Sequence, residues 1–440
     1  MPKPLYQRVH KAIALREGTF NLSASMNSLV TLTYDEAHDL HERFGTPLYL
    51  YDERLLRTAA AEALAFPNAF GLTVRYAIKA SPNRHILRLF NELGLNFDAS
   101  SGHEVTRLAA AGIALERISL STQELPENFA DLIERGLKLN ACSLRQLEAY
   151  GKRFPGTSVG VRFNPGLGSG GTQRTNVGGP GSSFGIWHES LPEVLALLER
   201  YQLKATRFHS HIGSGSDPAV WQRVAHLNLD LVRKLPDVTT VNFGGGYKVG
   251  RVPSEKTTDL QAIGTPVKEL FQTFARETGR ELHLEIEPGT FLVARAGAIV
   301  STIQDIVTTG PDGHTFYKLD SGMTEILRPS LYGAQHTMEV LSAQPATTTQ
   351  PVLVVGHCCE SGDILTPAPG EPEVLAPREL SVAEVGDYLL ITGAGAYCAA
   401  MPAKNYNSFP EAPEVLREVD GAFRLIRKRQ RVEAIWENEV

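Results

Sequence analysis

The chain has 440 residues, room for two domains if one of them is a barrel of about 250 residues. Hydrophobic residues make up 42% and charged residues 21%, an ordinary globular composition, and the formal net charge of −6 excludes an overall basic footprint for nucleic acid. No apolar run reaches the ~18 residues that a membrane-spanning helix requires. Cys142, Cys358, Cys359 and Cys398 follow neither a disulfide framework nor a zinc-binding spacing, which points to a reducing compartment, the cytoplasm.

The opening 28 residues carry four basic residues and one acid but lack a signal-peptide apolar segment, so any leader there would be an organellar one. "NSLVTL", a helix over "TYDEAHDLHERFG" and a strand "PLYLYD" follow, and some of this is expected to pair with a sheet near the C-terminus. From residue 72 to about 290, short apolar strands alternate with helices. The strands are "LTVRYAI", "LNFDA", "RISLS", "KLNAC", "SVGVRF", "ATRFHSH", "TTVNF" and "ELHLEIE". The helices "RHILRLFNELG" and "GHEVTRLAAAG" each end in Gly, the usual left-handed stop. An open doubly wound sheet fits the same alternation, but repeated over all these strands it favours a closed (β/α)8 barrel. The Gly-rich "NPGLGSGGTQRTNVGGPGSS" interrupts it as a long loop. Beyond residue 290 the helical period fades. "FLVARAGAIVSTI", "HTFYKLD", "PVLVVG" and "DYLLITG" read as strands of an antiparallel β domain. The expected division is a barrel over 52–290 and a β-rich domain made from 1–51 and 291–440. The basic run "RLIRKRQR" (424–431) reads as a solvated strand end or helix start rather than a phosphate patch.

Several residues in this frame carry chemistry. In "VRYAIKASPN" (74–83), strand alternation puts Arg75, Ala77 and Lys79 on one face and Val74, Tyr76 and Ile78 on the other. Lys79 then lies at the C-terminal end of a strand, where barrels keep their active sites. A strand-end lysine usually snorkels to solvent; a desolvated one forms Schiff bases with carbonyl compounds. In "HLEIEPG", Glu285 and Glu287 share a face; Arg75 can pair with the first, and the second can face a cationic ring nitrogen. His209 and His211 form an H-x-H pair that raises a metal-hydrolase alternative, although later strand ends offer no convincing further ligands. Gly213-Ser214-Gly215 and Gly244-Gly245-Gly246 end two consecutive strands, and such turns let backbone N–H groups approach a phosphate. An aldehyde trap, a partner for a pyridinium, an imidazole face and an anion cradle are what pyridoxal 5'-phosphate needs.

The motifs "YAIKAS", "HSHIGSG", "NFGGG", "EPG", "LDSGMTEILRPSLYGA", "CCESGDIL" and "GAYCAAMPAKNYNS" resemble, in order and from about residue 45 to 430, the bacterial diaminopimelate decarboxylases. These belong to the alanine-racemase-like, ornithine-decarboxylase-like pyridoxal-phosphate enzymes. The resemblance implies a (β/α)8 barrel with a C-terminal β domain, and decarboxylation of meso-2,6-diaminopimelate to L-lysine, the last step of lysine biosynthesis. It further implies that Lys79 is the Schiff-base lysine and Glu287 the carboxylate at the pyridine nitrogen. His211 would stack on the ring. Ser214, Gly244, Gly245, Gly246 and Tyr397 would hold the phosphate. Cys359 resembles the thiol that protonates the product carbanion, and in the family this Cys359–Glu360 pair reaches the site from the second subunit of a homodimer. Arg328 would grip the distal carboxylate of the substrate, Glu360 its ammonium, and Tyr332 would add a contact.

One departure bears on the substrate. The family usually reads "EPGR", whereas this chain has Thr290 after "EPG". A cation is lost, and Arg295 and Arg174 are the candidates to replace it. The alternatives are a related decarboxylase for another substrate, such as D-lysine, D-ornithine or a carboxylated polyamine like carboxynorspermidine, and a cofactor-free binding homologue. Arg328 argues against the first, and retention of Lys79 and the glycine turns against the second.

Overall fold

The structure is a computed structural model that describes residues 28–168, 178–211, 213–215 and 217–440. Residues 1–27, where an organellar leader was considered, and Arg174 lie outside the described residues.

The barrel strands are β2 (Leu72–Ala77), β3 (Asn96–Ala99), β4 (Ile118–Leu120), β5 (Lys138–Ala141), β6 (Ser158–Asn164), β8 (Lys204–His209), β9 (Thr240–Asn242) and β10 (His283–Ile286). They follow the expected strands in order. All pair in parallel, and β5 bonds to both β4 and β6, so the sheet closes. A two-residue strand β7 (Ile186–Trp187), not expected from the sequence, hangs on the end of β6. The predicted alternation along β2 holds: Val74, Tyr76 and Ile78 are buried, and Tyr76 meets Phe90 of the helix Arg84–Glu92 edge-on with centroids 4.8 Å apart. Glycines at positive φ, Gly94 and Gly112, follow the two helices for which a left-handed stop was expected.

The barrel interior is ionic at mid-height. Arg75 Nη2 donates to Glu285 Oε1 at 2.8 Å with both side chains buried, and Arg207 donates to the other carboxylate oxygen. Burial alone would raise Glu285; the two guanidinium groups outweigh it and hold the carboxyl well below the usual range.

A second sheet runs β17 (Arg378–Ser381), β14 (Thr349–Val355), β12 (Thr315–Leu319), β11 (Gly297–Thr308), β1 (Leu48–Asp52), β19 (Glu414–Arg417) and β20 (Phe423–Arg427), with β18 (Tyr388–Thr392) joining β11 to β13 (Met338–Leu341). Its ladders are mainly antiparallel, as expected, with parallel pairings of β1 to β19 and β12 to β14 added. The N-terminal strand does pair with this sheet: β1 sits between β11 and β19. The helix Tyr34–Phe44 covers it with Ala37 and Leu40, and its start is fixed by a reciprocal cap between Thr33 and Glu36. The run "FLVARAGAIVSTI" begins as a helical turn, Thr290–Val293, before β11 starts at Gly297. Its residues are buried on every side, so hydrophobic period could not tell turn from strand. The basic run is spent internally. Arg427 pairs with Glu414 at 2.9 Å and Arg429 donates to Gly45 O at 3.1 Å.

Candidate active site

Lys79 stands just past β2, in a short 3-10 turn over Ile78–Ala80 rather than on the strand itself. Its side chain is exposed while Ile78 and Ala80 are buried, so the ammonium projects into the open C-terminal mouth of the barrel. Gly289 lets the "EPG" turn close against this point: a Cβ there would sit 3.3 Å from Ala80 Cβ and 3.4 Å from Ala77 Cβ.

Glu287 follows β10 and is buried. Its Oε2 accepts from His209 Nε2 at 3.0 Å and its Oε1 from Asn242 Nδ2 at 2.7 Å. Burial would raise its pKa, but His209, His211 and Arg162 pull it down to about 2. A carboxylate offers about four acceptor directions, so Glu287 can still face a further N–H. His209 is neutral, its pKa lowered by burial. The bond to Glu287 assigns its proton to Nε2 and leaves Nδ1 buried and, among the described residues, without a partner.

His211 lies across the first glycine turn. Its Nδ1 accepts from Gly213 N at 2.9 Å, which puts the proton on Nε2. Burial, Arg162 and Lys79 hold it neutral, well below the usual histidine range. The two glycine turns abut. Gly215 N donates to Gly246 O at 3.0 Å, and a Cβ on Gly246 would fall 2.1 Å from Gly213 O. A Cβ on Gly245 would fall 2.3 Å from Glu287 O, and one on Gly244 2.9 Å from His211 Cβ. Any side chain here would drive the two turns apart. Among the described residues, no hydrogen bond uses the N–H of Gly245 or Gly246, so both donors remain available to an anion.

The second sheet brings its own residues to this mouth. Tyr397 N donates to Ala80 O at 2.9 Å, tying the loop after β18 to the Lys79 turn, and Tyr397 holds φ +58, rare for a bulky residue. Arg328 and Tyr332 begin and end the short helix Arg328–Tyr332. Arg328 Nη1 donates to His336 Nε2 at 2.9 Å. Cys359 and Glu360 lie in the loop after β14. Both are exposed, and Cys359 N is held by Asn407 Oδ1 at 2.9 Å. The neighbouring Cys358 is buried, and burial with Asp363 pushes its thiol up to about 12.

Of the two arginines considered as substitutes at position 290, Arg295 is engaged elsewhere: it pairs with Glu62 at 3.1 Å and its guanidinium lies 5.4 Å from the Phe291 ring centre. Asp98 and Glu104, read in the sequence only as strand and helix residues, both feel the positive charge of Lys79, which favours their ionised forms. Asp98 accepts from Ser119 Oγ at 2.8 Å and Ser121 Oγ at 3.1 Å; burial and Glu287 raise its pKa well above the usual range. Lumen direction near a strand end could have marked Asp98, since it stands one residue before the end of "NFDA", opposite Ala77 on the strand that leads to Lys79. Among the described residues, no group of three or more His, Cys, Asp and Glu side chains is placed to hold a metal ion.

A closed parallel barrel, a lysine at its C-terminal mouth, a buried carboxylate with an open acceptor direction, a neutral imidazole and a backbone anion cradle fit pyridoxal phosphate. They define a pyridoxal-dependent barrel enzyme. The family described as pyridoxal-dependent decarboxylase, pyridoxal binding domain, matches residues 55–294. The chain is 38% identical to the diaminopimelate decarboxylase of Streptomyces coelicolor over 88% of each chain. It is 35% identical to that of Escherichia coli over 92% of this chain and 96% of the other. A crystal structure of diaminopimelate decarboxylase superposes with a TM-score of 0.86 at 34% identity, covering 95% of this chain and 98% of that one. This chain belongs to the diaminopimelate decarboxylase family of pyridoxal-dependent decarboxylases.

Proposed function

We propose that the chain is a carboxy-lyase that converts meso-2,6-diaminopimelate to L-lysine and carbon dioxide, the last step of lysine biosynthesis, in the cytoplasm. The observation that carries this is the convergence of Lys79, His211 and Glu287 at one barrel mouth, in a chain alike over most of its length to enzymes of that activity. Among the described residues no helix is long and apolar enough to cross a membrane.

Pyridoxal phosphate, when bound, supplies an aldehyde that captures amines and a ring that spreads the electron pair left at Cα when carbon dioxide departs. Lys79 Nζ would hold the aldehyde carbon and yield it to the substrate amine. Glu287 stays ionised at neutral pH and would present a fixed negative charge to the ring nitrogen in a buried site, where such charge is most effective. Neutral His211 offers a flat face with no competing charge. The N–H groups of Gly245 and Gly246, with Gly244, Ser214 and Tyr397, would take the phosphate. Arg328 grips the distal carboxylate of the substrate in a fork, and Tyr332 borders the same end. The proton that ends the reaction at Cα comes from Cys359 of the partner subunit, and Glu360 of the partner subunit takes the distal ammonium. The exposure of both residues within a single chain supports active sites shared across a homodimer. The chain divides for this purpose into a barrel over 52–290 and a β-rich unit from 1–51 and 291–440.

Incubation of the cofactor-loaded enzyme with meso-diaminopimelate tests the reading. Release of equimolar L-lysine and carbon dioxide is expected. Turnover of D-lysine, D-ornithine or a carboxylated polyamine without turnover of diaminopimelate would replace it with the alternative substrate.

A further inference from the structure

Thr290 leaves the mouth of the barrel without the family's cation; of the arginines considered from the sequence, Arg295 is taken by Glu62 and Arg174 lies outside the described residues. A third arginine, in the loop after β9, occupies a position that periodicity could not reveal. Arg251 is buried at 5% exposure, yet among the described residues its Nη2 has no hydrogen-bond partner. Its Nε donates to Gly393 O at 2.9 Å, and its aliphatic stem packs on Gly393, where a Cβ would come within 2.9 Å of Arg251 Cγ. The preceding carbonyl, Thr392 O, accepts from His336 Nδ1 at 2.9 Å, and His336 Nε2 in turn accepts from Arg328 at 2.9 Å. Thr337 Oγ1 also donates to Arg251 O at 2.8 Å. Arg251 and Arg328 are therefore moored to consecutive carbonyls at the end of β18, the strand whose following loop carries Tyr397 to the Lys79 turn.

The cluster lacks a counter-ion. Among the described residues neither Arg251 nor Arg328 forms a salt bridge. Glu255 spends its carboxylate on the Arg251 backbone N–H, at 2.9 Å, rather than on the guanidinium. Burial and the nearby Arg328 charge pull Arg251 down to about 9, so it remains cationic at neutral pH but is poorly solvated. His336 is kept neutral by burial and by both arginines. A buried guanidinium without an anion is expensive, and Arg251, set beside the half-buried Arg328 that bonds neutral His336, makes a socket for a carboxylate.

We propose that Arg251 is a second cation for the distal carboxylate of the substrate, acting beside Arg328 and standing in for the arginine that Thr290 replaces. This rests on the diaminopimelate reading. Arg251 Nη2 adds a further donor and a second positive charge beside Arg328, which spends Nη1 on His336.

The test compares two ligands of the cofactor-loaded enzyme: L-lysine, which keeps the distal carboxylate, and cadaverine, which lacks it. In Arg251→Gln, inhibition by L-lysine is expected to weaken at least tenfold while inhibition by cadaverine stays within twofold. KM for diaminopimelate rises by a similar factor with kcat within threefold, and cofactor affinity followed by absorbance is unchanged. Arg251→Lys, which keeps a charge and most of the stem, should show a smaller loss in the same direction, and adding Thr290→Arg to Arg251→Gln should restore L-lysine inhibition. Equal changes for both ligands, or loss of cofactor affinity instead, would overturn the assignment and leave Arg251 a structural or phosphate-directed residue. A wild-type enzyme indifferent to L-lysine would sink the substrate reading itself. A wild-type enzyme inhibited by L-lysine, with a variant that preserves the ligand ratio, sinks only the role of Arg251.

Discussion

Glu287→Gln isolates the charge that we propose faces the cofactor ring while keeping shape and hydrogen-bonding capacity. The amide oxygen can still accept from His209 or Asn242, which lie 3.0 Å and 2.7 Å from the carboxylate, so packing is preserved. The surroundings move Glu287 from the ordinary 4.5 to about 2. At 1.36 kcal/mol per unit, that is a preference for the ionised form on the order of 3 kcal/mol. If this preference is what keeps a proton on the facing nitrogen as charge develops, its loss should lower kcat by roughly a hundredfold. The assay is kcat for diaminopimelate at saturating cofactor, with bound cofactor counted by absorbance so that lost occupancy is not mistaken for lost rate. A fall of less than about fivefold at full occupancy would refute the electrostatic role of Glu287.

Glu285→Gln strands Arg75 and Arg207 in the barrel interior, and denaturant unfolding should show a loss of about 3–5 kcal/mol. Carboxyls held low in the folded chain stabilise it above their unfolded pKa, and this contribution goes as pH falls through the folded value. With Glu287 near 2 and Glu285 also depressed, wild-type stability should decline from about pH 4.5 downward, and more gently in Glu285→Gln. Glu325 behaves oppositely: burial, partly offset by Thr324 and Gly322, raises it to about 7. A raised acid favours the fold below its unfolded pKa and loses that advantage as pH rises through 7, so Glu325→Gln should be the more stable protein at pH 8 and show little gain at pH 5. Mixed dimers test the shared site: Lys79→Ala and Cys359→Ala, each inactive, should recover about a quarter of wild-type activity when subunits are exchanged. No recovery after verified exchange would place Cys359 in its own chain's site or in none.

The sequence made the barrel legible because strand ends carry their chemistry in short, ordered words. "YAIKAS", "HSHIGSG" and "EPG" each lie at a strand's C-terminal end, and the Arg75–Glu285 pair followed from alternation on two neighbouring strands. Alternation failed one step later. Lys79 leaves the strand in a 3-10 turn, so its exposure comes from that turn and not from the lumen face of β2. The helical start of "FLVARAGAIVSTI" was hidden by uniform burial. Arg251 could not be singled out at all: it lies in a loop without period, and only the contact with Gly393, 142 residues away, places it at the end of β18. Arg295 illustrates the converse, a well-placed arginine in sequence whose charge is taken by Glu62 from another helix.

Reduction of the cofactor-loaded enzyme with borohydride, followed by peptide mass spectrometry, tests the central claim most directly. The phosphopyridoxyl group is expected on Lys79 at near-stoichiometric yield, and absent from Lys79→Ala, which should remain folded because the side chain is exposed. Attachment at any other lysine, or none in a protein that turns over substrate, would contradict it.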